Sequence, residues 1–367
     1  MDAILGTLIR ILEFVLAFGF LVFLHELGHY LMAKLFNIKV EEFGFGFPPR
    51  LIKLFQFRET EVTLNWIPFG AFVRPKGEND PAISGGLAAA SPWARLAVLS
   101  GGSLMNLLTG ILLFSMLFTQ LGAPVLNQVL IVGVNEDSPA AAAGIQVDDI
   151  VSQINGQPVE STQGLSQIVR DNLGKTVNIV LLRDGQQVEV SAIPRVNPPE
   201  GQGALGITMS NPVRPMSLFE SLPYATRVTY EQGRQLLSLP FLLIRGQVSP
   251  EESRLVGPKG IYDIYQVARA QDEEQVDTGE QEEGLLGLNT LGFLATISIA
   301  LGFTNLLPIP ALDGGRILFV LPEILFRRRV PAQYENMIHL IGFALLILLM
   351  IYVTTQDFVN PIVLPTP

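Results

Sequence analysis

Two histidines four residues apart, with a glutamate beside the first, form the most reactive cluster in this chain: His25-Glu26-Leu27-Gly28-His29. On a helix, residues at that spacing lie about 40° apart around the axis, so His25 and His29 share one face. Two imidazoles so placed can hold one zinc ion, and Glu26 can take a proton from a water bound to it. Zinc lowers the pKa of such a water towards ~7, which brings it within reach of a carboxylate base. The cluster lies in a long apolar run, where three ionisable groups are costly unless they pair or bind something. A polar cluster satisfied at a membrane interface is the competing explanation.

The elements that carry this motif are membrane spans. Of 367 residues only 16% are charged, against about a quarter in soluble domains. Four segments match the roughly 20 apolar residues that a helix needs to cross a bilayer: Ile4 to Phe36, Leu96 to Leu121, Leu285 to Leu307 and Met337 to Val353. The first lacks the basic start and small-residue cleavage site of a signal peptide, so it is expected to stay as a span. Without cysteine there is no disulfide framework, thiolate metal site or cysteine nucleophile. Any metal falls to nitrogen and oxygen donors, and the histidines number three: His25, His29 and His339. A net charge of -10 argues against a nucleic-acid partner.

Lys and Arg cluster between spans one and two (Lys34, Lys39, Arg50, Lys53, Arg58, Arg74, Lys76, Arg95) and between spans three and four (Arg316, Arg327, Arg328, Arg329). Those loops are expected inside, leaving both termini and the long stretch between spans two and three outside. Span three then runs in the same direction as span one and ends at the depth of His25 and His29. That end reads Asn305-Leu306-Leu307-Pro308-Ile309-Pro310-Ala311-Leu312-Asp313-Gly314-Gly315. Its prolines break the helix and its paired glycines allow a tight turn, putting Asp313 on non-helical chain. Two histidines and a water leave a tetrahedral zinc one ligand short, and Asp313 is the expected third. His339 has no carboxylate or second histidine near it in sequence and is expected to be a packed or interfacial residue.

Between spans one and two, Glu61 to Ile67 alternates polar and apolar residues as a half-exposed strand does. An edge strand beside the zinc could pair with an extended substrate; an ordinary cytoplasmic hairpin fits the pattern equally. From Leu126 to Val196 the order is strand, short Ser138-Pro139-capped helix, strand, a helix over Leu165 to Asn172, and two strands around Arg183-Asp184-Gly185. This order resembles a bacterial PDZ domain, with Gly203-Ala204-Leu205-Gly206-Ile207 as its displaced carboxylate-binding loop. Such a groove binds a peptide terminus or, above a membrane site, acts as a size filter. Between Met216 and Arg269 the chain is amphipathic and reads as interfacial helix. The acidic runs Asp272-Glu273-Glu274 and Glu280-Gln281-Glu282-Glu283 read as a solvated linker.

With HELGH in the first span and LPIPALDGG closing the third, the chain resembles the site-2 protease family of intramembrane metalloproteases. Within it the chain looks like the bacterial regulator-of-sigma-E protease group with a single PDZ domain. The resemblance extends to Phe43-Gly44-Phe45-Gly46 and Ile67 to Val73, similar to the family's membrane-reentrant β-hairpin, and to Leu255 to Ile261 after the PDZ domain. It implies zinc held by His25, His29 and Asp313, Glu26 as catalytic base, and substrate contacts at Asn106, Asn305, Gly206 and Ile207. The family's Gly-Pro-x-x-Asn pattern reads Gly102-Ser103-Leu104-Met105-Asn106 here, and Gly70-Ala71-Phe72 stands where Gly-Gly-Tyr is common.

The expected fold is a multi-pass α-helical membrane protein of about four transmembrane helices, with a membrane-associated β-hairpin and an inserted α/β PDZ domain. Residues 1-125 carry spans one and two with the hairpin, and 126-210 the PDZ domain. Residues 211-284 form the interfacial segment and acidic linker, and 285-367 spans three and four. The implied activity is hydrolysis of peptide bonds within or near the membrane segment of single-span proteins, shortened beforehand by another protease, anti-sigma factors for example. The implied place is a bacterial inner membrane, in contact with the lipid bilayer. A PDZ-bearing membrane scaffold without catalysis is the alternative, and a metal transporter a third reading; the intact His25, Glu26, His29 and Asp313 set argues against the scaffold.

Overall fold

The computed structural model describes residues 2–125, 127–199, 201–247, 254–278 and 286–361. The chain opens with helix α1 (Asp2–Leu35), followed by two long bent strands, β1 (Val40–Phe57) and β2 (Thr60–Pro75), and helix α2 (Pro92–Leu121). Then come β3 (Ala123–Pro124), β4 (Val129–Val134), α3 (Pro139–Ala142), β5 (Ile150–Ile154), β6 (Gln157–Pro158) and α4 (Thr162–Asp171). Strands β7 (Val177–Arg183), β8 (Gln186–Ala192), β9 (Ile207–Ser210) and β10 (Val213–Arg214) follow. The chain ends with α5 (Leu218–Ile244), α6 (Pro258–Asp277), α7 (Leu288–Leu306), α8 (Asp313–Phe326) and α9 (Ala332–Val359). It divides into two compact units, one of Met1–Leu117 with Leu222–Pro367 and one of Phe118–Ser221.

Among the described residues of the first unit, four helices are long and apolar enough to cross a membrane: α1, α2, α7 and α9. Their surfaces expose large apolar side chains, such as Leu8, Leu12 and Leu16 on α1 and Leu340, Leu345 and Leu348 on α9. Exposed leucine at this density suits lipid rather than water. The chain is an integral membrane protein. Contacts between these helices rest on small residues, as expected where lipid removes any hydrophobic drive to associate. A Cβ on Gly28 of α1 would meet the Gly101 carbonyl oxygen of α2 at 2.2 Å, and one on Gly110 would meet Ile299 of α7 at 2.4 Å. Ser298 of α7 donates to the Asn106 carbonyl at 2.8 Å, with both residues buried.

Strands β1 and β2 fold back on each other. Phe43 pairs with both Val62 and Val73, and Phe45 with both Leu64 and Ala71. The first half of β1 is thus sandwiched between two segments of β2, while the second half pairs outward, Gln56 opposite Glu61. Residues 61–64 are therefore interior to the sheet. The segments 50–57 and 71–75 are the two edges of the sheet. Bending needs glycine: Gly46 has φ 74° and Gly70 has φ 80°.

Two buried carboxylates lock the helices of this unit together. Asp357 of α9 accepts the N–H groups of Gly257 (2.9 Å) and Gly260 (3.0 Å) at the start of α6. Asp272 near the end of α6 accepts from Asn289 (2.8 Å) and Thr290 (2.9 Å) at the start of α7. Each satisfies amides that a helix N-terminus leaves unpaired. Asp272 is only 3% exposed, so the expectation of a solvated linker at 272–274 is corrected: these residues belong to α6. The second acidic run, 280–283, lies outside the described residues.

The second unit is a sheet of order β8-β7-β5-β4-β9, with β6 on β5. It closes over a core that includes Val129, Ile131, Ile154, Leu165, Ile179 and Leu181. Ser138 caps α3, its hydroxyl accepting from Ala141 at 3.0 Å, and Ser161 caps α4 through Gly164 at 3.0 Å. The strand-and-helix order is that of a PDZ domain, and β9 is the sheet edge beside α4.

Candidate metal centre

Helix α1 presents His25 and His29 one turn apart, and the start of α8 brings Asp313 onto the same point. His25 Nε2 and His29 Nε2 are each 3.2 Å from Asp313 Oδ2, and 3.2 Å from one another. The three donor atoms form a nearly equilateral triangle. A tetrahedral zinc with bonds of about 2.0–2.2 Å separates its ligands by roughly 3.3–3.5 Å, so the triangle is of the right size. Asp313 Oδ2 is buried and, apart from the two ring nitrogens at 3.2 Å, has no polar partner among the described residues. Such an oxygen facing two ring nitrogens calls for a cation. The donor set, one carboxylate and two imidazoles with room for a fourth ligand, suits catalytic zinc.

Helix α2 shapes this centre more closely than its sequence indicates. A Cβ on Gly102 would stand 2.4 Å from His29 Nε2 and 2.7 Å from His25 Nε2. Glycine is needed there to admit both imidazoles. His29 Nδ1 lies 2.7 Å from the Val98 carbonyl, so its proton belongs on Nδ1 and Nε2 keeps its lone pair for a metal. Asn106 lies 3.2 Å from His25 Nδ1 through its amide. The spacing 98, 102, 106 repeats every helical turn, a signal that an apolar span conceals because most of its residues share one polarity.

The turn before Asp313 departs from expectation in two ways. Asp313 is the first residue of α8 rather than part of a non-helical loop. The paired glycines serve close approach: a Cβ on Gly314 would meet the Leu307 carbonyl oxygen at 2.2 Å, and one on Gly315 that of Ile309 at 2.4 Å. Ala311 instead takes the left-handed conformation, φ 80°, which costs about 1–2 kcal/mol in a residue with a Cβ. His339 of α9 holds it, its Nδ1 accepting the Ala311 N–H at 3.0 Å. His339 is thus a packed residue, as expected, yet one that braces the segment leading to Asp313. Beyond Asp313, Arg316 pairs with Glu78, and Arg95 of α2 with Glu323 at 2.6 Å, fixing α8 to the loop before α2 and to α2 itself.

Glu26 lies one residue from His25, half-buried. Its Oε2 accepts the Val73 N–H at 3.0 Å, which joins the carboxylate to the sheet edge. Asn305 stands near the end of α7, partly exposed, whereas Asn106 is fully buried against His25. Gly206 and Ile207 lie in the other unit. Gly206 has φ 73° and stands against Ser138, and Ile207 opens β9. Between β9 and α4 runs a groove of about 300 Å³ lined by Leu165, Val169, Arg170, Leu205, Ile207 and Met209.

A histidine pair on a membrane helix, a carboxylate from a second helix and a glutamate at a strand edge define a membrane-embedded metallopeptidase. The sequence profile of peptidase family M50 matches residues 13–349, and the chain belongs to that family, the site-2 zinc metalloproteases. It is 29% identical to the zinc metalloprotease RasP of Oceanobacillus iheyensis, covering 95% of this chain and 98% of that one. It is 26% identical to the regulator of sigma-W protease RasP of Bacillus subtilis, covering 95% and 97%. The PDZ domain of the SdrC-like protein from Listeria monocytogenes shares 23% identity, covering 23% of this chain and 87% of that one, with a TM-score of 0.21. The corresponding domain from Listeria innocua gives 26%, 23%, 94% and 0.21.

Proposed function

We propose that the chain cleaves peptide bonds within or near the membrane segment of single-span proteins, with His25, His29 and Asp313 holding zinc and Glu26 as base. The observation that carries this reading is the 3.2 Å triangle of donor atoms beside a carboxylate tied to a strand edge. When bound there, zinc supplies a Lewis acid that polarises the scissile carbonyl and acidifies water. Glu26 takes the proton of the attacking water and passes it to the leaving amide nitrogen. A peptide bond in a helix is shielded by its own hydrogen bonds, so the substrate must unwind first. Segment 71–75 is a sheet edge whose Val73 N–H is taken by Glu26, and pairing of the unwound chain along the rest of it replaces hydrogen bonds given up. The His29–Val98 hydrogen bond holds that imidazole in its metal-binding tautomer.

The basic loops support a reading in which the metal centre lies towards the cytoplasmic side of a bacterial inner membrane, with the PDZ unit and both termini outside. The apolar groove beside β9 fits the C-terminus of a peptide with an apolar last side chain, of the kind a prior cleavage exposes. By analogy with the relative whose name records control of a sigma factor, anti-sigma factors are the substrate class proposed. Purified protein, its Glu26→Gln variant and a chelated sample, each incubated with a model single-span substrate, test the mechanism. Glu26→Gln is expected to retain zinc and lose cleavage; cleavage persisting in that variant overturns the assignment of the base. Asp313→Ala is expected to lose zinc, and undiminished affinity removes Asp313 from the site.

A further inference from the structure

The two imidazoles of the metal centre are supported differently, and the difference assigns a task to Asn106. A histidine that binds metal through Nε2 carries its proton on Nδ1 and needs an acceptor there. For His29 the acceptor is the Val98 backbone carbonyl at 2.7 Å, which can only accept. For His25 the group at Nδ1 is the Asn106 carboxamide, 3.2 Å away and fully buried. Its NH₂ end is the one turned to the ring, and its Oδ1 is a buried acceptor with no partner among the described residues.

In that orientation the amide donates, and His25 must carry its proton on Nε2. The proton then points into the triangle shared with His29 Nε2 and Asp313 Oδ2, where a metal would sit. A half-turn about the Cβ–Cγ bond exchanges the two ends of the amide at almost no change in shape. Oδ1 then accepts from Nδ1–H, and Nε2 is free to bind. The Asn106 backbone is fixed for this, since its carbonyl accepts from Ser298 of α7 at 2.8 Å.

We infer that Asn106 is a positioning residue: its side-chain carbonyl accepts the Nδ1 proton of His25 and so holds that imidazole in the zinc-binding tautomer. The inference rests on the zinc site proposed above. It gives α2 both acceptors, Val98 for one histidine and Asn106 for the other, eight residues apart on one stripe. It also reassigns Asn106 from contact with substrate to support of a ligand.

The test is zinc affinity of the full-length protein in detergent, measured by competition with a chromogenic chelator, for wild type, Asn106→Leu and Asn106→Asp. Leucine keeps the volume and removes the acceptor, and the affinity is expected to fall about 10- to 100-fold, as for other groups that support a metal ligand. Aspartate restores an acceptor without a donor and is expected to bind zinc within a few-fold of wild type. Equal loss in both variants, or no loss in Asn106→Leu, overturns the inference. If Asn106→Leu does not fold, the Asp variant decides alone, because a donor or substrate-binding role predicts that it loses affinity or cleavage as leucine would. With just three histidines in the chain, ¹⁵N spectra of histidine-labelled, zinc-stripped protein add a direct readout. Asn106→Asp is expected to raise the Nδ1–H population of His25, and an unchanged tautomer counts against the assignment. Wild type that takes up no zinc refutes the metal site itself, whereas zinc lost in Asp313→Ala but kept in Asn106→Leu refutes the role of Asn106 alone.

Discussion

The backbone N–H of Val73 donates to Oε2 of Glu26 across 3.0 Å, joining the sheet edge to the glutamate of the HELGH motif. This N–H belongs to segment 71–75, which has β1 on one side and no ladder partner on the other among the described residues. Proline at an edge position costs a strand little when its N–H points away from the ladder. Val73→Pro is therefore expected to fold and to keep zinc. A hydrogen bond to a charged group is worth about 1.5–3 kcal/mol, so cleavage should fall roughly 10- to 100-fold. Steady-state cleavage of a model substrate alongside metal analysis checks this; equal loss of zinc would point to a general collapse of the site instead.

Gly102 supports a second prediction. A methyl group there would lie 2.4 Å from His29 Nε2 and 2.7 Å from His25 Nε2, the atoms proposed to bind zinc. Rings at the ends of side chains can swing aside, so the fold should survive Gly102→Ala with a melting temperature near wild type. The site should not survive it, because displacing a reacting group by about 1 Å costs on the order of 100-fold. Unaltered zinc content and cleavage in Gly102→Ala would show that α2 does not confine the ligands.

How much of this was legible in the sequence depends on the range of each interaction. His25, Glu26 and His29 lie on one turn of one helix, so their spacing alone defined a face. Asp313 came from topology, since a span of matching direction must end at matching depth. Gly102, the Val98 carbonyl and the Val73 N–H were not legible. They act through close backbone approach or main-chain polarity, and side-chain identity carries neither. Asp272 was misread because an acidic run looks solvated until a helix N-terminus is found against it. The PDZ-like order was readable from capping serines and turns, which are local, whereas the doubled pairing of Phe43 with Val62 and Val73 depends on bends at Gly46 and Gly70.

Asp272 gives a third prediction. Its two oxygens accept from Asn289 and Thr290, doing from α6 what an N-cap residue does from within a helix. Replacing a cap by alanine costs about 0.5–2 kcal/mol, and a buried pair of amides belongs at the upper end of that range. Asp272→Ala should lower the melting temperature in detergent and speed hydrogen exchange at the start of α7. Asp272→Asn, which keeps one acceptor, should fall between the two. Exchange at 289–291 unchanged in the alanine variant would show that this end of α7 is held by other contacts.

The PDZ unit contains an ion pair whose response to pH can be worked out. Asp149 is fully buried and receives Arg183 through two contacts of 2.7 Å, with the Gln146 N–H adding a third at 2.8 Å. Burial pushes the Asp149 carboxyl up, but the Arg183 guanidinium and the Gln146 amide outweigh it and hold the carboxyl below its ordinary range. A depressed folded-state pKa means that the unfolded chain binds the proton first. The stabilisation is therefore complete above the unfolded value of about 3.9 and is lost as pH falls from there through the lower folded value. The opening free energy in β4, β5 and β7, taken from hydrogen exchange of the full chain after correction for the intrinsic pH dependence of amide exchange, should be flat from neutrality to about pH 5 and fall below pH 4. Arg183→Gln removes the cation that pairs with the buried Asp149 carboxylate and should lower stability at neutral pH. In that variant the neutral carboxyl is favoured, so the gap to wild type should narrow as the solution is acidified. A gap that stays constant down to pH 3 would mean that Arg183 acts through packing rather than charge.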